Sequence, residues 1–186
     1  FKNVIDNLGE PLNFANSLLQ GEIGRAGTAA GRLLVNSTLG FGGLFDVADT
    51  LGLKDATEDF GQTLAVWGTG EIAYLVLPIL GPSSVRDGVG RGVDFFLNPI
   101  NHALDNADLE WVGWTMMAVD GVDQRSRHIE TLDEIERTSV DYYAAIRSLY
   151  RQMRHDSIHN GEATDDNPFA GDSQPFVDDD ELSNVN

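Results

Sequence analysis

Gly31 to Ala48 reads G-R-L-L-V-N-S-T-L-G-F-G-G-L-F-D-V-A, Glu58 to Gly68 reads E-D-F-G-Q-T-L-A-V-W-G, and Tyr74 to Asp87 reads Y-L-V-L-P-I-L-G-P-S-S-V-R-D. Apolar pieces at helical spacing, stopped by glycines and with no run of alternating strands between them, predict an all-α chain. Gly40, Gly42 and Gly43 break the first block before a short helix at Leu44 to Asp49. Thr57 is the expected cap of the next helix, with Glu58 and Asp59 favoured in its first turn and Phe60 and Leu64 on its buried side. Gly68 and Gly70 end it. Ile72 to Leu77 is apolar on every side, which in so acidic a chain means full burial or contact with lipid. Pro78 and Gly81-Pro82 then stop the element.

Upstream, Glu10-Pro11 is the expected opening of a helix carrying Leu12, Ala15, Asn16 and Leu19 on one face, with Gly21 as its cap glycine. A second helix spans about Glu22 to Ser37. On it Gly24, Gly27, Ala30 and Gly31 form a strip of small residues where another helix or an acyl chain could come close. Downstream, a helix follows Ser83-Ser84 to Leu97, and another covers Asn101 to Val119 with Trp111 and Trp114 as neighbours, suited to a headgroup layer or to core packing. The last two run from Val122 to about Glu136 and from Ser139, the expected N-cap, to about Ile158. On the final helix Tyr142, Ile146, Leu149 and Met153 predict a buried seam. Arg147, Arg151 and Arg154 line one stripe, either a solvated face with local salt bridges or a contact for lipid phosphates or acidic partners.

Composition sets limits. The chain has 186 residues, 41% of them hydrophobic, with 20 glycines and no cysteine, so neither a disulfide framework nor a thiolate metal site is available. A net charge of −18 argues against nucleic acid as a partner. Half of that charge lies from Asp156 onward, where there are acidic residues and no Lys or Arg. The reading is therefore a helical domain over 1–155 and a disordered acidic tail over 156–186. The longest apolar run, Ile72 to Leu80, contains Pro78 and falls short of the roughly 20 residues that span a bilayer.

Catalytic patterns fail one by one. Gly68-Thr69-Gly70-Glu71-Ile72-Ala73 fits a dinucleotide fingerprint in letters, but it follows a helix rather than a strand. His155 and His159 stand one helical turn apart without a third ligand or an adjacent Glu. Ser83-Ser84 lacks a nucleophile elbow, and His102 and His128 pair with no nucleophile. Arg86-Asp87 reads as a local ion pair or cap. No enzyme, metal or cofactor is expected.

The three opening blocks, together with N-L-G-E-P-L-N-F-A-N-S-L-L-Q-G at Asn7 to Gly21 and D-Y-Y-A-A-I-R-S-L-Y-R-Q-M-R at Asp141 to Arg154, resemble in order the MlaA/VacJ family of outer-membrane phospholipid-transport lipoproteins. The span covers about four fifths of the chain. The resemblance implies a ring of helices around a central amphipathic channel, lying in the periplasm-facing leaflet of the bacterial outer membrane. It further implies glycerophospholipid as cargo, a trimeric porin as neighbour, a soluble periplasmic carrier as recipient, and a lipid anchor on a Cys of an N-terminal segment not found in this chain. On that picture Gly68, Gly70, Tyr74, Pro78, Arg86 and Asp87 are candidates to line or gate the channel, and Gly24, Gly27 and Gly31 to allow close helix packing. A structural adaptor that binds porin without moving lipid is the competing expectation. The family usually reads Gly-Pro before the tyrosine, where this chain has Ile72-Ala73, so the backbone shape at that point does not carry over from the resemblance.

Overall fold

The computed structural model describes residues 2–77, 81–127, 137–139 and 141–162. The helices are α1 (Lys2–Gln20), α2 (Ile23–Thr38), α3 (Val47–Thr50), α4 (Phe60–Val66), α5 (Val85–Leu97), α6 (Pro99–Asp105), α7 (Glu110–Arg127) and α8 (Tyr142–Ile158). Between α4 and α5 lie two short strands, β1 (Tyr74–Leu77) and β2 (Gly81–Ser84).

Helices α1 and α2 form an antiparallel pair. Gly21 takes a φ of 83°, and the Glu22 N–H donates to the Ser17 carbonyl at 2.8 Å, the closure expected of a cap glycine. Side chains set the register, with Asn7 donating to Ser37 at 3.1 Å and Arg32 to Glu10 at 2.5 Å. α1 begins at Lys2 rather than Glu10 and carries Pro11 inside it. Proline removes one backbone donor, but Asn7 and Glu10 are already locked to α2, and tertiary contacts override a local break.

The all-α expectation is corrected at the run from Ile72 to Leu77. Tyr74–Leu77 is a strand, paired antiparallel with Gly81–Ser84 so that Tyr74 stands opposite Ser84 and Val76 opposite Pro82. A short apolar run rich in aromatic and aliphatic residues and bounded by Gly cannot be told from helix by periodicity alone. Leu75 and Val76 are exposed, so full burial is not the reason for their apolar character. Pro78 lies outside the described residues, as do 163–186 of the expected tail.

Two caps lie two residues beyond their expected positions. Asp59, not Thr57, caps α4, accepting from the Gln62 N–H at 2.9 Å. Asp141, not Ser139, caps α8, accepting from the Ala144 N–H at 3.0 Å. α5 matches its expected span, opened by Ser84, which accepts from the Asp87 N–H at 3.1 Å. The helix expected over Asn101 to Val119 is divided, because Asp108 adopts a φ of 56° and Asp tolerates the left-handed region that ends helices. α7 then continues through Val122 to Arg127. α4 and α5 cross at two glycines, and a Cβ on Gly90 would lie 2.7 Å from the Gly61 Cα.

The inward faces are the polar ones. On α1 the buried residues are Asn7, Glu10, Asn13, Asn16 and Ser17; of the expected apolar face only Asn16 is among them. On α4 the buried face is Gly61, Gln62 and Thr63 rather than Phe60 and Leu64. α8 has no fully buried residue, and Tyr142 and Met153 of its expected seam are exposed. Among the described residues the fully buried hydrophobic side chains are Ala26, Ala29 and Ala48, while Phe41 is 74% exposed, Phe96 72%, Ile23 68% and Leu34 67%. Each large apolar side chain left in water forfeits roughly 1.5–3 kcal/mol relative to burial, so this surface suits apolar surroundings. Among the described residues no helix is long and apolar enough to cross a membrane.

Candidate functional site

The polar interior is one connected network. Arg32 stands at its first centre, with Nε donating to Glu10, Nη1 to the Leu53 carbonyl at 2.7 Å and Nη2 to Asp46 at 3.0 Å. Asn36 donates to the same Asp46 at 3.0 Å and accepts from the Ala48 N–H at 2.9 Å, which ties α3 to α2. Asn13 joins Glu10 to the Glu58 backbone. Glu58, 1% exposed, accepts from Arg25 at 2.6 Å and from Gln20 at 3.0 Å. Thr63, Asn16 and Asp94 carry the chain of bonds into α5, where Asp94 also accepts from the Phe60 N–H at 2.9 Å.

Arg154 is the second centre. Its two terminal nitrogens grip Asp59 in a fork at 2.6 Å each, and one of them also donates to Asp87 at 3.0 Å. Asp87 further accepts from Arg86 at 2.8 Å and from the Tyr150 hydroxyl in a short bond. Burial alone would raise both carboxyls, but Arg154 and the Gln62 hydrogen bonds together outweigh it at Asp59, and Arg86, Arg154 and Tyr150 together outweigh it at Asp87, so both sit below the ordinary carboxylate value. Burial and the Asp87 carboxylate push the Tyr150 hydroxyl up to about 12, keeping it a donor. Asp94 shows the opposite balance, burial raising it more than its hydrogen bonds lower it. Beside this centre Arg151 forms a second fork onto Glu71, at 2.7 and 3.1 Å.

Between the loop before β1, the start of α5 and the inner face of α8 lies a cavity of about 260 Å³, lined by Glu71, Arg86, Tyr150, Arg151, Arg154, His155 and Ile158. The three arginines converge there because Arg151 and Arg154 share one stripe of α8 with Tyr150, while the Ser84 cap orients α5 so that Arg86 follows directly. The stripe is neither a solvated face nor free; Arg151 and Arg154 reach Glu71, Asp59 and Asp87 across the fold. His155 and His159 stack ring on ring at 4.1 Å. Burial and its partner ring lower the His155 value. Among the described residues no three His, Cys, Asp or Glu side chains are placed to hold a metal.

The sequence candidates divide. Arg86 lines the cavity, Asp87 is buried beneath it, and the Tyr74 ring packs against Tyr150 and Tyr143 at 5.7 and 5.5 Å. Gly68, at a φ of 91°, belongs to the cap of α4, and Gly70 is exposed with nothing within 4 Å of an added Cβ. The close packing expected at Gly24 and Gly27 is corrected, since a Cβ there would also meet nothing within 4 Å; only Gly31, 3.2 Å from a Leu53 methyl, is near a neighbour. The small residues that do pack inward on α2 are Ala26 and Ala29. Arg32, Glu58, Asp59, Asp94 and Tyr150 belong to the site although no sequence pattern singles them out for it. A usable signal exists in α1, where Glu10, Asn13 and Asn16 recur every third residue and mark a continuous polar stripe.

The chain has a helical fold with ionic side chains inside and large apolar ones outside, the reverse of the usual arrangement in a water-soluble domain. The chain belongs to the MlaA lipoprotein family, whose profile matches residues 1–157. It is 34% identical, over 86% of its length, to the intermembrane phospholipid transport system lipoprotein MlaA of Escherichia coli, and 30% identical, also over 86%, to the protein of that name from Haemophilus influenzae. It is 36% identical over 83% of its length to an uncharacterized protein of Rickettsia bellii. The chain spans 59% to 63% of the length of these curated relatives. A solved structure concerned with the maintenance of bacterial outer membrane lipid asymmetry superposes with a TM-score of 0.71 at 28% identity, covering 84% of this chain and 77% of that one. The family is one of transport lipoproteins rather than enzymes.

Proposed function

We infer that this chain forms the lipid-handling body of a phospholipid transporter, taking mislocalised glycerophospholipids from the outer leaflet of the outer membrane and passing them to a soluble periplasmic carrier. Its helices are read as a ring around a central amphipathic channel, lying in the periplasm-facing leaflet, docked against a trimeric porin and held by a lipid anchor. The observation that carries this reading is the inverted polarity, with Arg32, Glu58, Arg86 and Asp87 buried while Phe41 and Phe96 face outward. An ionic headgroup crosses hydrocarbon only at great cost. A polar interior inside an apolar shell removes that cost while leaving acyl chains in apolar surroundings. The names of the Escherichia coli and Haemophilus influenzae relatives agree with this cargo.

The test is lipid capture and hand-over. The full chain, extracted in mild detergent, is expected to carry glycerophospholipid by native mass spectrometry and to release it to a soluble periplasmic carrier. Porin binding without any lipid capacity would instead establish the structural adaptor.

A further inference from the structure

The cavity beside α8 holds an ion pair in an unusual position. Arg151 and Glu71 form a two-bond fork, yet their side chains remain 32% and 26% exposed, and both line the cavity. Arg86 and Arg154 stand in the same wall, already tied to Asp87 and Asp59 behind it. One turn before Tyr150 and Arg151 on α8, the Arg147 Nε is buried without a hydrogen-bond partner, and so is the Tyr74 hydroxyl that packs beside Tyr150. Buried donors without partners are uncommon in folded proteins. Neither residue lines the cavity, where the guanidinium donors facing a ligand are those of Arg86, Arg151 and Arg154.

We propose that the cavity is a subsite for a zwitterionic phosphodiester headgroup, whose phosphate takes the Arg151 and Arg86 guanidiniums and whose ammonium takes the Glu71 carboxylate. The proposal rests on the phospholipid reading above and names the headgroup class within it. Its basis is exchange of partners. When the Arg151–Glu71 fork opens, a ligand bearing both charges satisfies both side chains, and no uncompensated ion is left in the wall. A headgroup with the phosphate alone satisfies Arg151 and strands Glu71 beside a second negative charge. Guanidinium suits the phosphate, since its planar donors match two oxygens at once. The size agrees as well: about 260 Å³ lies just below the roughly 300–1,000 Å³ of sites that enclose drug-sized ligands. A headgroup fits there, while two acyl chains must stay outside.

The experiment measures binding of dihexanoyl phosphatidylethanolamine, dihexanoyl phosphatidylglycerol and inorganic phosphate to the full chain in mild detergent. Wild type is expected to bind the ethanolamine lipid about tenfold or more tighter than the glycerol lipid. Glu71→Gln is expected to erase that difference, and Arg151→Gln to weaken both lipids. Helix content and thermal midpoint of each variant confirm that it is folded; should Arg151→Gln fail to fold, Arg151→Lys, which keeps the charge but loses the fork, serves in its place. Equal binding of the two lipids by wild type, or a preference unchanged in Glu71→Gln, overturns the headgroup assignment and leaves the transport reading standing. Inorganic phosphate competing as well as either lipid identifies a free-anion site and overturns it too. No binding of either lipid sinks both readings.

Discussion

At Ile72 the backbone takes a φ of 65°, a region that costs a side chain with a Cβ about 1–2 kcal/mol and that β-branched residues rarely occupy. The conformation is one that glycine adopts freely and that Ile72 holds under strain. The adjoining Ala73 carbonyl accepts from the Val85 N–H at 2.9 Å, which holds the turn against the start of α5. Ile72→Gly is expected to stabilise the protein by about 1 kcal/mol, the relieved strain exceeding the added backbone entropy of glycine. A thermal midpoint that falls would show that the exposed isoleucine contributes more than its strain. Nothing in the local letters E-I-A-Y marks a left-handed residue.

At the scale of elements, α8 is attached by charge and by the Tyr74 ring packed on Tyr143 and Tyr150. Its polar links are Arg154 to Asp59 and Asp87, Tyr150 to Asp87, and Arg151 to Glu71. Asp59 and Asp87 are both held below the ordinary carboxylate range in the fold. The stability they contribute is therefore present above about pH 4 and is lost as pH falls through the depressed folded values. Chemical denaturation between about pH 6 and pH 3 should show that loss. Arg154→Met is expected to lower stability by roughly 3 kcal/mol, because two carboxylates lose their shared cation, and to flatten the acid response. An acid response as steep as that of wild type in Arg154→Met would mean that other carboxyls govern it. The helical spacing of Arg147, Arg151 and Arg154 was readable in the sequence, but the partners of Arg151 and Arg154 were not, since Asp87, Glu71 and Asp59 lie 67, 80 and 95 residues away and no local rule reports such a distance.

For the whole molecule the decisive property is which side faces out. Phe41 and Phe96, more than two thirds exposed, should anchor the protein to lipid. Replacing either with Lys is expected to weaken partition onto vesicles of bacterial phospholipid by roughly tenfold or more, with helix content unchanged. Vesicle binding that stays the same would place those residues against protein instead.

The sequence alone determined the helical character, the glycine stops at Gly21 and Gly68, the start of α5 after Ser84 and the family, because each depends on neighbours within a turn or two or on the order of residue blocks. The tertiary structure alone decided the hairpin, the division between α6 and α7, and above all the direction of every amphipathic helix. Periodicity reports that a helix has two faces, and it is silent on which one meets its surroundings. That choice depends on whether a buried ion finds its counter-ion across the fold, as Arg32 finds Glu10 and Arg154 finds Asp59.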